Sequence, residues 1–225
     1  MKESKIKIYV ENAEVPEYKS SGASGFDVPV QFSDKVAKLS IAAINRLLTK
    51  DIIPSIETLA ELYKEQYVPY DTHVISLDNF ICAITRALHT LNVYYDYGVS
   101  LVDHLLEENI PYVNVVLPYS NAIFPTGLHF EIPDEDEIQL RTRSGIAAKT
   151  LLSVKLGTLD ADWRGNTAVI VQNPTPYAYI IVPGMRLAQG VVIEKKHANF
   201  EIVDFVEDLS KTERGDKGLG STGTK

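Results

Sequence analysis

The chain has 225 residues, 45% hydrophobic and 23% charged, with a formal net charge of -8. It is long enough to bury a real core, but lacks the basic balance that a nonspecific nucleic-acid surface requires. A single cysteine, Cys82, excludes an intrachain disulfide and fits a reducing, cytoplasmic setting; the first eight residues hold no long apolar run, so no signal peptide and no membrane partner are expected.

Strand-like alternation begins at residues 6–10. Beyond residue 32 the pattern changes to 3.6-residue periodicity. Leu39, Ala42, Ala43, Leu47 and Leu48 make one apolar stripe, and Ile56, Leu59, Ala60 and Tyr63 a second. Phe80, Ile81, Ile84, Leu88 and Leu91 make a third, and Leu101, Val102, Leu105 and Leu106 a fourth. Four helices are expected there, with start signals at Pro54-Ser55, at Ser76, and at Ser100 with Asp103 in capping-box spacing. Six basic and eleven acidic residues between 33 and 110 give this block most of the excess negative charge, so its outer face is expected to be solvated. Short alternating runs return at 113–117, 128–132, 138–141, 168–172, 177–182, 190–194 and 200–205. The expected fold class is mainly β, a barrel or jelly roll carrying an α-helical insertion. From about residue 208 onward the chain is too polar and glycine-rich to pack.

Five blocks carry chemistry rather than core. Ser24-Gly25-Phe26-Asp27 closes a small-residue loop on a carboxylate, which reads equally as a loop cap. Arg143-Ser144-Gly145 offers a guanidinium fork, a hydroxyl and an unhindered backbone amide within three residues, an oxyanion site. In the block from Gly157 to Gly165, Asp160 and Asp162 flank an alanine before Trp163; on a strand they would point to opposite faces, one toward a site. Pro183-Gly184 is a turn followed by Arg186 and Gln189. The block from Arg214 to Gly223, with Lys217, Ser221 and Thr222, suits a phosphate chain wrapped by backbone N–H groups; a solvated terminus is the plainer reading. Its glycines at 218, 220 and 223 spell G-x-G-x-x-G, but no strand precedes them and no helix follows. A Walker loop fails because Ser221 stands where lysine should be. No His or Cys cluster has metal-ligand spacing.

Taken in order, these blocks resemble the five motifs of the trimeric dUTP pyrophosphatase (dUTPase) family: Ser24 to Asp27, Arg143 to Ala147, Gly157 to Gly165, Gly184 to Gln189, and Arg214 to Gly223. The likeness extends to Phe124-Pro-Thr-Gly-Leu128, which is similar to the family's strand entry before its second motif. It divides the chain into a β domain (1–32 and 113–225), a helical insertion (33–112) and a C-terminal phosphate-binding arm (208–225). The fold it implies is a dUTPase-like jelly roll or β-clip barrel assembled as a homotrimer. The activity it implies is Mg2+-dependent hydrolysis of dUTP to dUMP and pyrophosphate.

By this resemblance Asp160 is the base that activates water. Arg143, Ser144 and Gly145 hold the α and β phosphates with help from Gln189, and Arg214, Gly220, Ser221 and Thr222 close over the γ-phosphate. Mg2+ is held mainly by phosphates and water, with no direct protein ligand and with Asp27 in an outer shell. A backbone hairpin at 151–160, including Gly157, reads uracil. Trp163 replaces the tyrosine that packs under deoxyribose. Leu219 replaces the phenylalanine that stacks over uracil, a loss of about 1 kcal/mol that admits a modified deoxyuridine triphosphate as an alternative substrate. The related dCTP deaminases need a glutamate in the strand after the third motif, and residues 168–172 contain no acid. A different reading makes this a regulatory or interaction protein whose insertion, 33–112, binds a protein partner.

Overall fold

The computed structural model describes residues 3–40, 109–213 and 215–216. The four expected helices fall almost wholly within 41–108, and the arm residues Arg214, Leu219, Gly220, Ser221 and Thr222 beyond 213; both lie outside the described residues. The described chain divides into two units, residues 1–195 and 196–225.

Among the described residues of the first unit, twelve strands run in chain order with one short helix. They are β1 (Lys7–Val10), β2 (Phe26–Pro29), β3 (Lys38–Ser40), β4 (Tyr112–Val116), β5 (Ser120–Pro125), β6 (Leu128–Glu131), β7 (Asp136–Thr142), α1 (Ser144–Lys149), β8 (Ser153–Val154), β9 (Gly157–Leu159), β10 (Ala168–Asn173), β11 (Tyr179–Ile181) and β12 (Arg186–Glu194). All pairings are antiparallel, in sheets ordered β1-β6, β5-β10-β8, β11-β4-β3 and β2-β12-β7-β9. This is the mainly-β jelly-roll class expected from the alternation.

The period-2 pattern does what one-sided sheets require. In β10, Val169 and Val171 turn inward while Ile170 and Gln172 face out; in β7, Ile138 and Leu140 turn inward between Glu137, Gln139 and Arg141. Phe124, Leu128, Ile138, Ile181 and Leu187 are fully buried, each contributing about 1.5–3 kcal/mol by removal from water. β12 departs from alternation, with Leu187 and Ala188 both buried, because its register against β2 shifts between Arg186 and Ala188. Such a bulge bends a strand and re-aims its side chains.

Several expectations are corrected. β12 begins at Arg186 rather than at 190. Residues 151–160 do not close as a hairpin on themselves, because β8 pairs with β10 while β9 pairs with β7. Residues 160–163 form a turn rather than a strand, closed by the Trp163 N–H donating to the Asp160 carbonyl at 3.2 Å, so Asp160 and Asp162 are both exposed. Residues 33–40 and 109–112, counted with the insertion, belong in part to the β framework. Leu39, read into a helical stripe, sits in β3 opposite Val113 of β4.

The buried Asn114 side chain secures that junction. Its Oδ1 accepts the Ser33 N–H at 2.9 Å, and its Nδ2 donates to the Ser33 carbonyl at 2.8 Å. The second unit, taken alone, holds no strand at 200–205. The one regular element among its described residues is a 3-10 turn at Val206–Asp208, with Phe200, Ile202 and Phe205 exposed. Alternation makes a strand only where a partner edge supplies the ladder hydrogen bonds. No helix among the described residues is long and apolar enough to cross a membrane.

Candidate active site

The sheet β2-β12-β7-β9 carries the first four motifs. Gln189 stands opposite Asp27 across β12 and β2, and Arg143 follows the last residue of β7 as the N-cap of α1. Asp27, 13% exposed, is the centre of an ionic cluster: Arg143 Nε lies 2.6 Å from its Oδ1 and Arg186 Nη1 lies 3.1 Å from its Oδ2. The Oδ2 contact is an ion pair without a directed hydrogen bond, and that buried oxygen has no other donor among the described residues. Arg143 also donates from Nη1 to the Arg186 carbonyl at 3.0 Å. With Nε and Nη1 engaged, the fork is held rigid and its Nη2 donors are left for a ligand. Two cations on one carboxylate leave a local positive surplus, which an anion can occupy.

Sequence choices around the cluster follow from contact. A Cβ on Gly25 would lie 2.9 Å from Gln189 Oε1 and 3.1 Å from the Gly190 carbonyl, so only glycine lets the Gln189 side chain lie there. Gln189 Nε2 in turn donates to the Thr142 carbonyl at 3.2 Å, beside Arg143. Ser144 and Gly145 are exposed at the start of α1, and a Cβ at Gly145 would meet nothing within 4 Å. Their N–H groups, in the first turn of a helix, have no intrahelical acceptor.

The third motif sits elsewhere. Gly157 pairs with Leu140 and Leu159 with Ile138, so β9 runs toward the start of β7, away from Arg143. Asp160, one residue past Leu159, therefore lies near the opposite end of the sheet. The five-residue climb from Ile138 to Arg143 spans about 16 Å at roughly 3.3 Å per residue. The turn is bound by its own backbone: Arg164 Nη1 donates to the Ala161 carbonyl at 2.5 Å and the Trp163 carbonyl at 2.9 Å. Trp163, 41% exposed, lies against Gly165, where a Cβ would come within 2.4 Å of the indole.

One chain thus brings together Asp27, Arg143 and Gln189 with Ser144 and Gly145 alongside, and holds Gly157, Asp160 and Trp163 apart from them. Arg186 belongs to the ionic cluster, and sequence reasoning had given it no role; its signal was its place inside the Gly184 to Gln189 block. No group of three or more His, Cys, Asp or Glu residues with metal-holding geometry occurs among the described residues.

Known proteins share this sequence pattern and this fold. The sequence profile of the dUTPase family matches residues 109–223. The deoxyuridine 5'-triphosphate nucleotidohydrolase of Chlamydia felis is 42% identical over 134 residues, which are 59% of this chain and 90% of that protein. That of Chlamydia trachomatis serovar D is 39% identical over 146 residues, 64% and 97% respectively. Among solved structures, the Staphylococcus bacteriophage 80alpha dUTPase with dUpNHpp superposes with a TM-score of 0.57 at 17% identity, covering 97% of this chain and 98% of that one. The phage phi11 dUTPase, described with a species-specific insert, gives 0.51 at 15% identity over 91% and 99%; both structures show the shared fold. By sequence profile and by identity to its relatives, the chain belongs to the dUTPase family.

Proposed function

We propose that the protein is a dUTP diphosphatase that hydrolyses dUTP to dUMP and pyrophosphate, working as a homotrimer. The observation that carries it is the Arg143–Asp27–Arg186 cluster beside the open Ser144–Gly145 backbone, a rigid cationic corner suited to phosphate oxygens. Asp160 accepts a proton from water as that water's oxygen bonds to the α-phosphorus. The bond from the α-phosphorus to the bridging oxygen breaks, and pyrophosphate leaves with the electron pair. Arg143, Ser144 and Gly145 stabilise the α and β phosphates, Gln189 supports them, and Arg214, Gly220, Ser221 and Thr222 enclose the γ-phosphate. Gly157 contributes backbone to the base pocket, Trp163 packs under the sugar and Leu219 covers the base.

Mg2+ suits a site of this kind when the triphosphate brings it, neutralising phosphate charge and keeping water in its shell. Asp27 is already paired with two arginines, so its carboxylate fits an outer-shell position that orients those arginines.

The separation of about 16 Å along β7 is the reason for assembly. One chain cannot set Asp160 and Arg143 on neighbouring phosphates, so a site needs Asp160 from one copy and Arg143 from another. The arm from a third follows the family pattern. Chains inactivated by Asp160→Asn and chains truncated after Thr212, each dead alone, should regain dUTP turnover when refolded together. Mixtures that stay dead, or a monomer by light scattering, reject this assembly.

A second reading, partner binding through 33–112, is favoured by one observation. β3 and β4 deliver both ends of that segment side by side, with Ser40 opposite Tyr112. The solved 80alpha phage enzyme is described as controlling transfer of virulence genes, a precedent within this fold for a dUTPase with a second task.

A further inference from the structure

The third-motif turn is tied to the barrel by a residue outside all five motifs. His129 lies in β6, opposite Tyr9 of β1, and its ring packs against the Tyr9 ring with centroids 5.5 Å apart and planes tilted by 55°. Its Nδ1 stands 2.9 Å from the Arg164 carbonyl oxygen. A carbonyl only accepts, so Nδ1 carries the proton. Its Nε2 is buried without a hydrogen bond and lies 3.7 Å from Glu11 Oε2. Glu11 is itself fixed, its N–H donating to the Gly127 carbonyl at 2.7 Å. The ring therefore packs against Tyr9 on one side and grips Arg164 on the other.

Arg164 makes this grip matter. Its guanidinium gathers the Ala161 and Trp163 carbonyls, while its own carbonyl is the one His129 holds. Ala161 anchors the start of the loop by burial in the core, and the other hydrogen-bonded ties to the barrel lie farther along the chain. Asn166 Oδ1 accepts the Thr126 and Gly127 N–H groups, and the Thr167 N–H donates to the Leu128 carbonyl. Among these hydrogen bonds, the one from His129 to Arg164 is the nearest in sequence to Asp160.

We propose that His129 is a positioning residue for the reaction. Through Arg164 it fixes the turn that presents Asp160 and Trp163 to the substrate. This rests on Asp160 being the base. Because the phosphate contacts belong to a different corner, loss of the His129 grip should lower kcat more than it raises KM, the KM effect coming through Trp163. A displacement near 1 Å costs up to about a hundredfold in such sites.

Trp163 is the single tryptophan of the chain, so its fluorescence reports the turn independently of turnover. The experiment compares three variants of the full chain with dUTP and Mg2+. His129→Phe keeps a ring against Tyr9 but loses the donor. His129→Asn restores a donor where Nδ1 stood. Asp160→Asn tests the base. Expected for His129→Phe is a kcat about tenfold lower, with a smaller rise in KM and Trp163 more open to acrylamide quenching; His129→Asn should recover both signals.

Wild-type kcat and quenching in His129→Phe overturn the proposal. So does equal impairment in Phe and Asn variants, which would make the ring a space-filler. Near-normal turnover in Asp160→Asn removes the base and with it the catalytic meaning of the contact. An inert His129→Phe beside a dead Asp160→Asn removes only the positioning role.

Discussion

The two halves of the proposed chemistry are built by opposite means. The phosphate corner is electrostatic and framework-bound: a nearly buried carboxylate between two arginines, on strands paired by the β7–β12 ladder and by a β2–β12 ladder that bulges between Arg186 and Ala188. The third-motif turn is exposed and held by backbone capture, with Arg164, Asn166 and His129 gripping carbonyls and amides. Ionic preorganisation suits a group that must meet a fixed polyanion. A turn fixed through its backbone and the buried Ala161 leaves the Asp160 carboxylate exposed to water.

The largest effect should come from the turn. Asp160→Asn keeps shape and removes basicity, so turnover should fall about 10²–10⁴-fold while dUTP still binds. Kinetics paired with nucleotide binding by calorimetry checks this. Near-normal turnover would reject the assignment and erase the contrast between the halves.

The corner should respond differently. Arg143→Ala removes phosphate donors and half the pairing of Asp27. Charge-assisted hydrogen bonds are worth about 1.5–3 kcal/mol, so kcat/KM should drop roughly ten- to a hundredfold, with much of the loss in KM. Asp27→Asn keeps both arginines and loses only their orientation, so its effect should be smaller. If Asp27→Asn proves the more damaging, the carboxylate acts on the ligand directly rather than through the arginines.

The sequence carried these halves unevenly. The motif residues were readable because backbone-approach glycines and phosphate-binding arginines leave fixed spellings. The pairing of Asp27 with Arg143 and Arg186 was not, since it joins three separate blocks through the β2-β12-β7 register. Strands 128–131 and 168–173 announced themselves by alternation. β8 and β9 are too short for any period to register, and β3 was masked because Leu39 also fits a helical stripe. Residues 200–205 alternate only in part, with Ile202 and Val203 adjacent, and alternation in any case states only which side chains share a face and does not supply an edge to pair with. His129 left no signal, because its role lies in a ring nitrogen meeting a carbonyl thirty-five residues away.

Neither half uses the β11-β4-β3 sheet from which the central segment departs. The ends of that segment are already adjacent, so a short loop closes them at small entropic cost. Replacing residues 41–108 by a short Gly/Ser linker should therefore leave a folded β core with kcat/KM close to that of the intact chain. Size-exclusion light scattering and a pyrophosphate-release assay check this together. A soluble but inactive variant would show that the central segment belongs to the site, and an insoluble one that it belongs to the core.

The smallest effect is expected from an ion pair that looks like the Asp27 cluster but is exposed. Lys7 Nζ lies 2.6 Å from Glu131 Oε1 on the β1–β6 pair, with both side chains at least half exposed. The hydrogen bond and the charge of Lys7, with a smaller contribution from Arg164, hold the Glu131 carboxyl below the usual glutamate range. A carboxyl with a lowered folded value stabilises the fold at pH above its unfolded value, and that contribution disappears as pH falls through the lowered one. Solvent screening keeps it small. Glu131→Gln should change Tm little at neutral pH, flatten the acid limb of the stability curve slightly, and leave kcat unchanged. A large fall in kcat would mean that charge on β6 reaches the Asp160 turn through Arg164, and the turn would then be electrostatically organised like the phosphate corner.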